Sequence, residues 1–287
     1  MKILQVTDSD GITRAALRDG ARTLVLTRVH DGVANALDLL LRAGEHDFDA
    51  AAWQRSAVGA GALTEAGAGA RPTVPVTPAE VWGAGVTYRR SADFREEGSG
   101  IYDRVYADSR PELFFKATAS RCVGPGEPIG RRRDSNFTAT EPELAVVIAS
   151  SGTILGYTLA NDVSAWDIER ENPLYLPQSK VYLGCFAFGP VIVTPDEIAD
   201  PHALELRCRV TRDGREIFAG EANTSQLKRR IPELVDWLRR SNDVPDGTVL
   251  STGTGIIQPM DAGLEEGDVV TIECAEIGAL TNRVALV

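Results

Sequence analysis

The sequence predicts an α+β chain, with a small N-terminal α/β domain over residues 1–71 and a larger, β-rich domain over residues 72–287. Three observations carry this. An amphipathic Leu/Ala segment lies next to short strand-like runs near the N-terminus. A Gly/Ala-rich stretch over residues 58–72 reads as a connection. Beyond it, short runs of β-branched residues alternate with Gly and Pro punctuation, interrupted by two helical patterns.

In chain order, residues 2–6 and 23–27 read as strands. Residues 32–44 follow as a helix, with Leu37, Leu40 and Leu41 and alanines 34 and 36 on one stripe and Gly44 as its stop. The connection over 58–72 is too short and too mixed for a disordered tail. In the second part, residues 204–210 and 216–219 flank Asp213-Gly214, a strong hairpin-turn signal. Residues 268–274 and 283–287 form a closing pair of strands. Helices are expected over 163–170 and 225–240; in the longer one Leu227, Ile231, Leu234, Val235 and Leu238 share a stripe that belongs in the core. No internal repeat is evident.

The most informative segment runs from Thr140 to Asp162. Two runs rich in Val, Ile, Leu and Thr flank Ser150-Ser151-Gly152 and read as a β-hairpin. With Ser151 and Gly152 as a two-residue loop, Ser150 opposes Thr153, Glu143 faces Ala160 and Glu141 faces Asp162. Side chains alternate along a strand, so Glu141 and Glu143 share a face and Asp162 joins them from across the pair. Three like charges there call for a cation. The register decides this, because a slip of one residue sends Asp162 to the opposite face. Acid-x-acid spacings recur at Asp8/Asp10, Asp47/Asp49, Asp167/Glu169, Glu169/Glu171 and Glu266/Asp268, where a solvated surface is the simpler account. The hairpin and the third acid set Glu141/Glu143 apart.

Composition narrows the chemistry. The chain has 287 residues, 43% of them hydrophobic, and a net charge of −11. That charge argues against nucleic acid and anionic membrane surfaces as partners. No signal peptide and no bilayer-length apolar run is visible. The four cysteines, at 122, 185, 208 and 274, are dispersed, as expected of reduced thiols in a cytoplasmic protein. With only three histidines, His30, His46 and His202, an all-oxygen site for a hard cation fits better than a multi-histidine site. This favours Mg²⁺ or Mn²⁺ over Zn²⁺.

Several motifs in order then carry a resemblance: Gly83-Ala-Gly-Val-Thr-Tyr88, Pro111-Glu-Leu-Phe-Phe-Lys116, Glu141-Pro-Glu143, Gly156-Tyr-Thr-Leu-Ala-Asn-Asp162, Lys180, Gly189-Pro190, Ser251-Thr-Gly-Thr-Gly255 and Gly267-Asp268. Over roughly residues 75–287 the chain resembles the fumarylacetoacetate hydrolase family. The resemblance implies a mixed β-roll with a metal site at its open mouth, Mg²⁺ ligands at Glu141, Glu143 and Asp162, and a 2-oxo acid chelated there so that its C3 proton becomes acidic. It also implies a homodimer or homotetramer.

One departure sorts the family's reactions. Hydrolases of the family carry Tyr-x-x-His-x-x-Glu where this chain reads Tyr88-Arg-Arg-Ser-Ala-Asp-Phe94, so Ser91 and Phe94 stand where a water-activating dyad is expected. Serine is no unassisted general base near neutral pH. Glu96 or Glu97 remains as a substitute after a loop rearrangement. The Gly-Val-Thr-Tyr-x-x-Ser, Pro-Glu-Leu-Phe-Phe-Lys and Glu171-Asn-Pro-Leu-Tyr-Leu-Pro-Gln-x-Lys180 segments look most like the branch that dehydrates 2-keto-3-deoxy-arabinonate and related pentonates. The expected product is 2,5-dioxopentanoate, from a 4,5-enol that tautomerises to an aldehyde. A family hydrolase or decarboxylase acting on an acylpyruvate or oxo-diacid is the alternative, and a silent 2-oxo-acid binder the second.

For β-elimination the resemblance leaves Lys180 and Glu112 as the acid–base pair, without saying which is which. The Gly253-Thr254-Gly255 loop, together with Arg89 and Ser91, is expected to contact the substrate. The triplet Arg131–Arg133 reads as a solvated turn, and Gly83-x-Gly85 lacks the third glycine and the following helix of a dinucleotide site.

Overall fold

The structure is a computed structural model that describes residues 1–89 and 101–287. Ser91 and Phe94, with Arg90, Glu96 and Glu97, lie outside the described residues.

The first 72 residues form β1 (Lys2–Thr7), β2 (Thr13–Asp19), β3 (Arg22–Leu26), α1 (Ala36–Ala43), α2 (Ala50–Gly59), β4 (Leu63–Glu65) and β5 (Arg71–Pro72). Next come β6 (Val81–Gly85), α3 (Ile101–Ala107), β7 (Glu112–Ala117), β8 (Cys122–Val123), β9 (Ile129–Arg131), β10 (Thr138–Ala139), β11 (Pro142–Ile148), β12 (Ile154–Asp162) and β13 (Ser164–Ala165). The remainder is α4 (Trp166–Glu171), α5 (Leu176–Lys180), β14 (Phe186–Val193), β15 (Glu205–Arg212), β16 (Arg215–Asn223), α6 (Ile231–Arg239), β17 (Thr248–Ser251), β18 (Val269–Cys274) and β19 (Gly278–Leu286).

Among the described residues, a large mixed sheet has the order β4-β3-β2-β1-β14-β12-β11-β17-β6-β7. A second sheet runs β16-β15-β18-β19-β9, and β10 pairs with β13 alone. The N-terminal strands continue the large sheet, because β1 pairs with β14 through Lys2↔Val193 and Ile3↔Ile192. The expected boundary at residues 71/72 falls inside β5.

Strand alternation sorts the core into two layers. Leu144, Val146 and Ile148 of β11 pack with Leu206, Cys208 and Val210 of β15 and with Ile231, Leu234, Val235 and Leu238 of α6. Ala145, Val147 and Ala149 point the other way, onto Leu39 and Leu40 of α1 and Trp53 and Ala57 of α2. Both faces of β11 are covered, so all seven of its residues are buried. Any polar side chain on it must find partners inside the protein.

The hairpin has the expected register where it matters. Glu143 pairs with Ala160 and Pro142 with Asn161, and the Asp162 N–H donates to Glu141 O at 3.0 Å. The turn differs from expectation. Ala149 N–H donates to Thr153 O and Gly152 N–H to Ala149 O, which leaves a three-residue loop, 150–152, with Gly152 at φ +90°. A bulge then follows: Val147 pairs with Gly156 but Ile148 with Ile154, so Leu155 is the extra residue. Loop and bulge each move the register by one in opposite senses and cancel.

Other expectations shift for local reasons. The helix expected over 225–240 begins only at Ile231. Asn223 and Gln226 close a one-turn capping box over Thr224–Gln226, and Pro232 fits a first helical turn but not a helix interior. The helix expected over 163–170 starts at Trp166, after the short strand β13. Helix α1 starts at Ala36, where the Asn35 side chain accepts from Asp38 N–H. Helix α2, capped by Asp49, and strand β2 have no counterpart in the sequence expectations. The Asp213-Gly214 turn is a two-residue hairpin loop with both residues at positive φ, 49° and 74°. All four cysteines are free thiols. Among the described residues no helix is long and apolar enough to cross a membrane.

Helix α6 lacks a side-chain cap from its own N-cap residue, Arg230. His202 supplies one, since Ile231 N–H donates to His202 Nε2 at 3.0 Å, with Arg230 Nη2 3.3 Å and Asp200 Oδ1 3.7 Å from Nδ1. Burial, then the Arg230 guanidinium, holds the His202 pKa below its ordinary value, against the opposing Asp200 carboxylate. Below pH of about 6.5 the unfolded chain therefore takes up a proton that the folded chain resists, so the His202 contribution to stability falls as pH drops through that value and is level above it. Thermal midpoints measured from pH 8 to 5 on the wild type and on His202→Gln, which keeps an acceptor but does not titrate, isolate this contribution: relative to the variant, the wild type should lose stability as pH drops below about 6.5. Parallel profiles would refute the assignment.

Candidate metal centre and active site

The hairpin register brings Glu141, Glu143 and Asp162 together. One oxygen from each lies within 4.8 Å of the others, and all three residues are buried. Each is held from outside the cluster. Glu141 accepts from Trp166 Nε1 at 2.5 Å and from Lys180 Nζ at 2.8 Å. Glu143 accepts from Ser251 Oγ at 2.5 Å and from the Gly253 N–H at 2.6 Å. Asp162 takes Lys116 Nζ on Oδ1 at 2.6 Å and Lys180 Nζ on Oδ2 at 3.3 Å. Behind them, Asn161 Oδ1 accepts from Thr140 Oγ1 and from the Glu141 N–H, which fixes the backbone from which Glu141 projects.

Among the described residues, three carboxylates face two lysines, one positive charge short of neutral. The shortfall falls on Glu143: burial, then the Asp162 and Glu141 carboxylates, pushes its pKa up to about 8, against the Ser251 hydrogen bond. A small divalent cation answers that environment. The donors are all oxygen, buried and preset by neighbours, which suits a hard ion such as Mg²⁺.

Lys180, 2% exposed, ends α5 and donates also to Ser164 Oγ at 2.7 Å; its Nζ stands 5.1 Å from the centre of the Phe114 ring. Glu112 and Phe114 alternate along β7 onto one face. A narrow cleft is bounded by Glu112, Phe114, Glu141, Glu143, Lys180, Gly253 and Thr254. Two expected acid–base residues and two of the three expected metal ligands thus border one space. A further acid, Glu169 of α4, lines the same cleft and is buried; the sequence expectations took it as one of many acid-x-acid surface positions.

The Gly253–Gly255 loop is held by contact rather than by freedom alone. Gly253 has φ +93°, and a Cβ there would lie 1.9 Å from Thr87 Oγ1. The Thr254 hydroxyl, expected to face a substrate, instead donates to Pro142 O at 2.8 Å and accepts from the Ile256 N–H. Arg89 lies against the Tyr106 ring at 5.5 Å. Ser91 lies outside the described residues.

Lys116 is the residue the sequence reading quoted without assigning it a role. It is fully buried and all three of its ammonium protons are directed: to Asp162 Oδ1, to Val163 O at 2.9 Å and to Lys180 O at 2.6 Å. It ties a metal-ligand candidate to the backbone that presents Lys180. Spacing does not find it: Trp82 pairs with Phe115 but Val81 with Ala117, so Lys116 is the extra residue of a bulge and stands outside the alternation of β7.

Comparison with known proteins places the whole chain. Residues 80–285 match the family profile described as Fumarylacetoacetate (FAA) hydrolase C-terminal. The chain is 52% identical over 221 residues to the 2-dehydro-3-deoxy-D-arabinonate dehydratase of Saccharolobus solfataricus, covering 75% of this chain and 74% of that protein. It is 49% identical over 218 residues to the probable 2-keto-3-deoxyxylonate dehydratase of Haloferax volcanii, covering 75% of each. The fold superposes on a solved structure of 2-keto-3-deoxy-D-arabinonate dehydratase complexed with magnesium and 2,5-dioxopentanoate, with a TM-score of 0.85, 41% identity, and coverage of 100% of this chain and 99% of that one. With its register, its buried carboxylates and these relatives in agreement, the chain belongs to the fumarylacetoacetate hydrolase family.

Proposed function

We propose that this chain is a Mg²⁺-dependent hydro-lyase that dehydrates a 2-keto-3-deoxy pentonate, of the D-arabinonate or D-xylonate type, to 2,5-dioxopentanoate. The observation that carries the reading is a cleft shared by Lys180, Glu112 and two members, Glu141 and Glu143, of a buried all-oxygen triad, in a chain half identical to dehydratases of such acids.

Glu141, Glu143 and Asp162 would hold the ion, which when bound supplies Lewis-acid polarisation of a 2-oxo acid and so acidifies its C3–H. The chain's own groups do the rest. Removing a C3 proton and the C4 hydroxyl as water leaves a C3–C4 alkene conjugated with the ketone. A proton shift from C5 to C3 gives the 4,5-enol, and protonation at C4 with loss of the C5 hydroxyl proton gives the C5 aldehyde. Lys180 and Glu112 are the acid–base pair for these transfers, both bordering the cleft. The Phe114 ring and the buried flank around Lys180 keep water from competing. The backbone of Gly253–Gly255 closes the end of the cleft against the substrate. Free thiols at all four cysteines suit a reducing cytoplasm, and the family resemblance supports a homodimer or homotetramer.

The deciding experiment compares substrates. Mg²⁺-loaded protein should release an aldehyde from 2-keto-3-deoxy pentonate faster than it cleaves any acylpyruvate. In ¹⁸O-water no new labelled carboxylate should form; faster acylpyruvate cleavage with label in a carboxylate would overturn the reading.

For the ion, EDTA should silence the enzyme and Mg²⁺ or Mn²⁺ restore it. Glu141→Gln, Glu143→Gln and Asp162→Asn should each fold yet lose activity. At 100 times its Kd, Mg²⁺ should stabilise the wild type by about 2.7 kcal/mol, read as a rise in thermal midpoint that the three variants lack. For the proton transfers, Lys180→Met should abolish both dehydration and exchange of the C3 proton with deuterium if lysine is the base. If lysine is the acid, exchange should persist while dehydration stops. Full dehydration by Lys180→Met would remove it from the mechanism.

A further inference from the structure

The geometry points to Gly85 as a positioning residue for Glu112: the bare face it presents is the seat on which the Glu112 carboxylate rests. This rests on the reading of Glu112 as one of the acid–base pair. Strands β6 and β7 pair antiparallel, with Gly85 opposite Glu112 and Gly83 opposite Phe114. Paired residues put their side chains on the same face of a sheet. A Cβ built on Gly85 would lie 2.1 Å from Glu112 Oε2, 2.6 Å from its Cδ and 3.3 Å from its Cγ. The Glu112 side chain therefore folds back across β6 and sets its carboxylate over the Gly85 Cα, at the wall of the cleft that Gly85 and Glu112 share with Lys180.

Gly83 repeats the arrangement one pair further along. A Cβ there would lie 2.4 Å from Phe114 Cζ, so the ring beneath Lys180 Nζ occupies the other vacant face. Neither glycine adopts a left-handed φ, so backbone freedom is not what position 85 requires. Space is. The Gly83-Ala84-Gly85 segment is a strand whose missing side chains are replaced by those of its neighbour.

An alanine at 85 suits the backbone and meets only the far end of a flexible side chain. Ordinary contact begins near 3.4 Å, so the carboxylate oxygen must retreat from 2.1 Å by more than 1 Å. Misplacement of a reacting group by about 1 Å costs on the order of 100-fold in rate.

The test is Gly85→Ala in the Mg²⁺-loaded enzyme. The proposal expects kcat to fall about 100-fold, with KM and the Mg²⁺ Kd within about threefold of wild type, since neither depends on that carboxylate. In a Glu112→Gln background the same change should cost nothing further. A kcat for Gly85→Ala within twofold of wild type overturns the inference, and so does a further tenfold loss in the Glu112→Gln background. Should Gly85→Ala fold poorly, the thermal midpoint of Gly85→Ala/Glu112→Ala decides. The clash is with the Glu112 side chain only if the double variant matches Glu112→Ala; a lower midpoint overturns the inference. If Glu112→Gln alone keeps wild-type kcat, the reading of Glu112 fails, whatever Gly85→Ala does.

Discussion

The ion pairing of Asp162 is the constraint on which the site is built. Its two oxygens are claimed by different lysines, Lys116 on Oδ1 and Lys180 on Oδ2, and both pairs are out of water. A buried charge that loses its partner costs about 3–5 kcal/mol, so β7 and α5, which deliver these lysines, are bound to the hairpin by that cost as well as by packing. Lys116 also holds the Lys180 carbonyl. Movement of Asp162 and movement of the Lys180 backbone are therefore linked through one ammonium group. The third carboxylate, Glu143, has no lysine and relies on Ser251 and the Gly253 N–H. That is where the charge deficit collects and where a cation gains most.

The sheet makes this arrangement rigid. β11 is buried on both faces, between α1 and α2 on one side and β15 and α6 on the other. Glu143 lies on the same face as Ala145 and Val147 of the core, so the packing that fixes the apolar end of the strand also fixes the acidic end. Reactive groups carried on strands that cannot shift are held closer to a productive geometry than groups carried on loops.

Much of this was legible in the sequence because it is local or periodic. Alternation and a hairpin put Glu141, Glu143 and Asp162 on one face, and the register and the close approach of their oxygens agree with that expectation. The leucine stripe of α6 and the Asp213-Gly214 turn were equally plain. Long-range pairing left no such mark. That Lys116 would turn inward depends on β7 lying beside β6 and on Asp162 standing beyond it, which no window of the sequence contains. Helix α6 was drawn too long because its apolar stripe continues through Leu227, while the start signal, Pro232 in the first turn, was read as part of the interior. Glu169 was lost among many surface acids, since spacing cannot tell a buried carboxylate from a solvated one. The hydroxyl of Thr254 was assigned outward on chemistry alone; the nearby Pro142 carbonyl claims it.

The hairpin that carries the three carboxylates is irregular twice over. Its loop has one residue more than a tight turn needs, and Leu155 bulges out to restore the count. Each irregularity alone would rotate Asp162 out of the cluster. The two are coupled, each correcting the other. A residue lost or gained at 150–152 leaves Asp162 on its face only if the bulge is lost or gained with it. The tip of this hairpin is a surface loop, the kind of place where insertions are ordinarily free, yet its length decides whether three carboxylates meet some 20 Å of strand away, on the order of six residues at about 3.3 Å each.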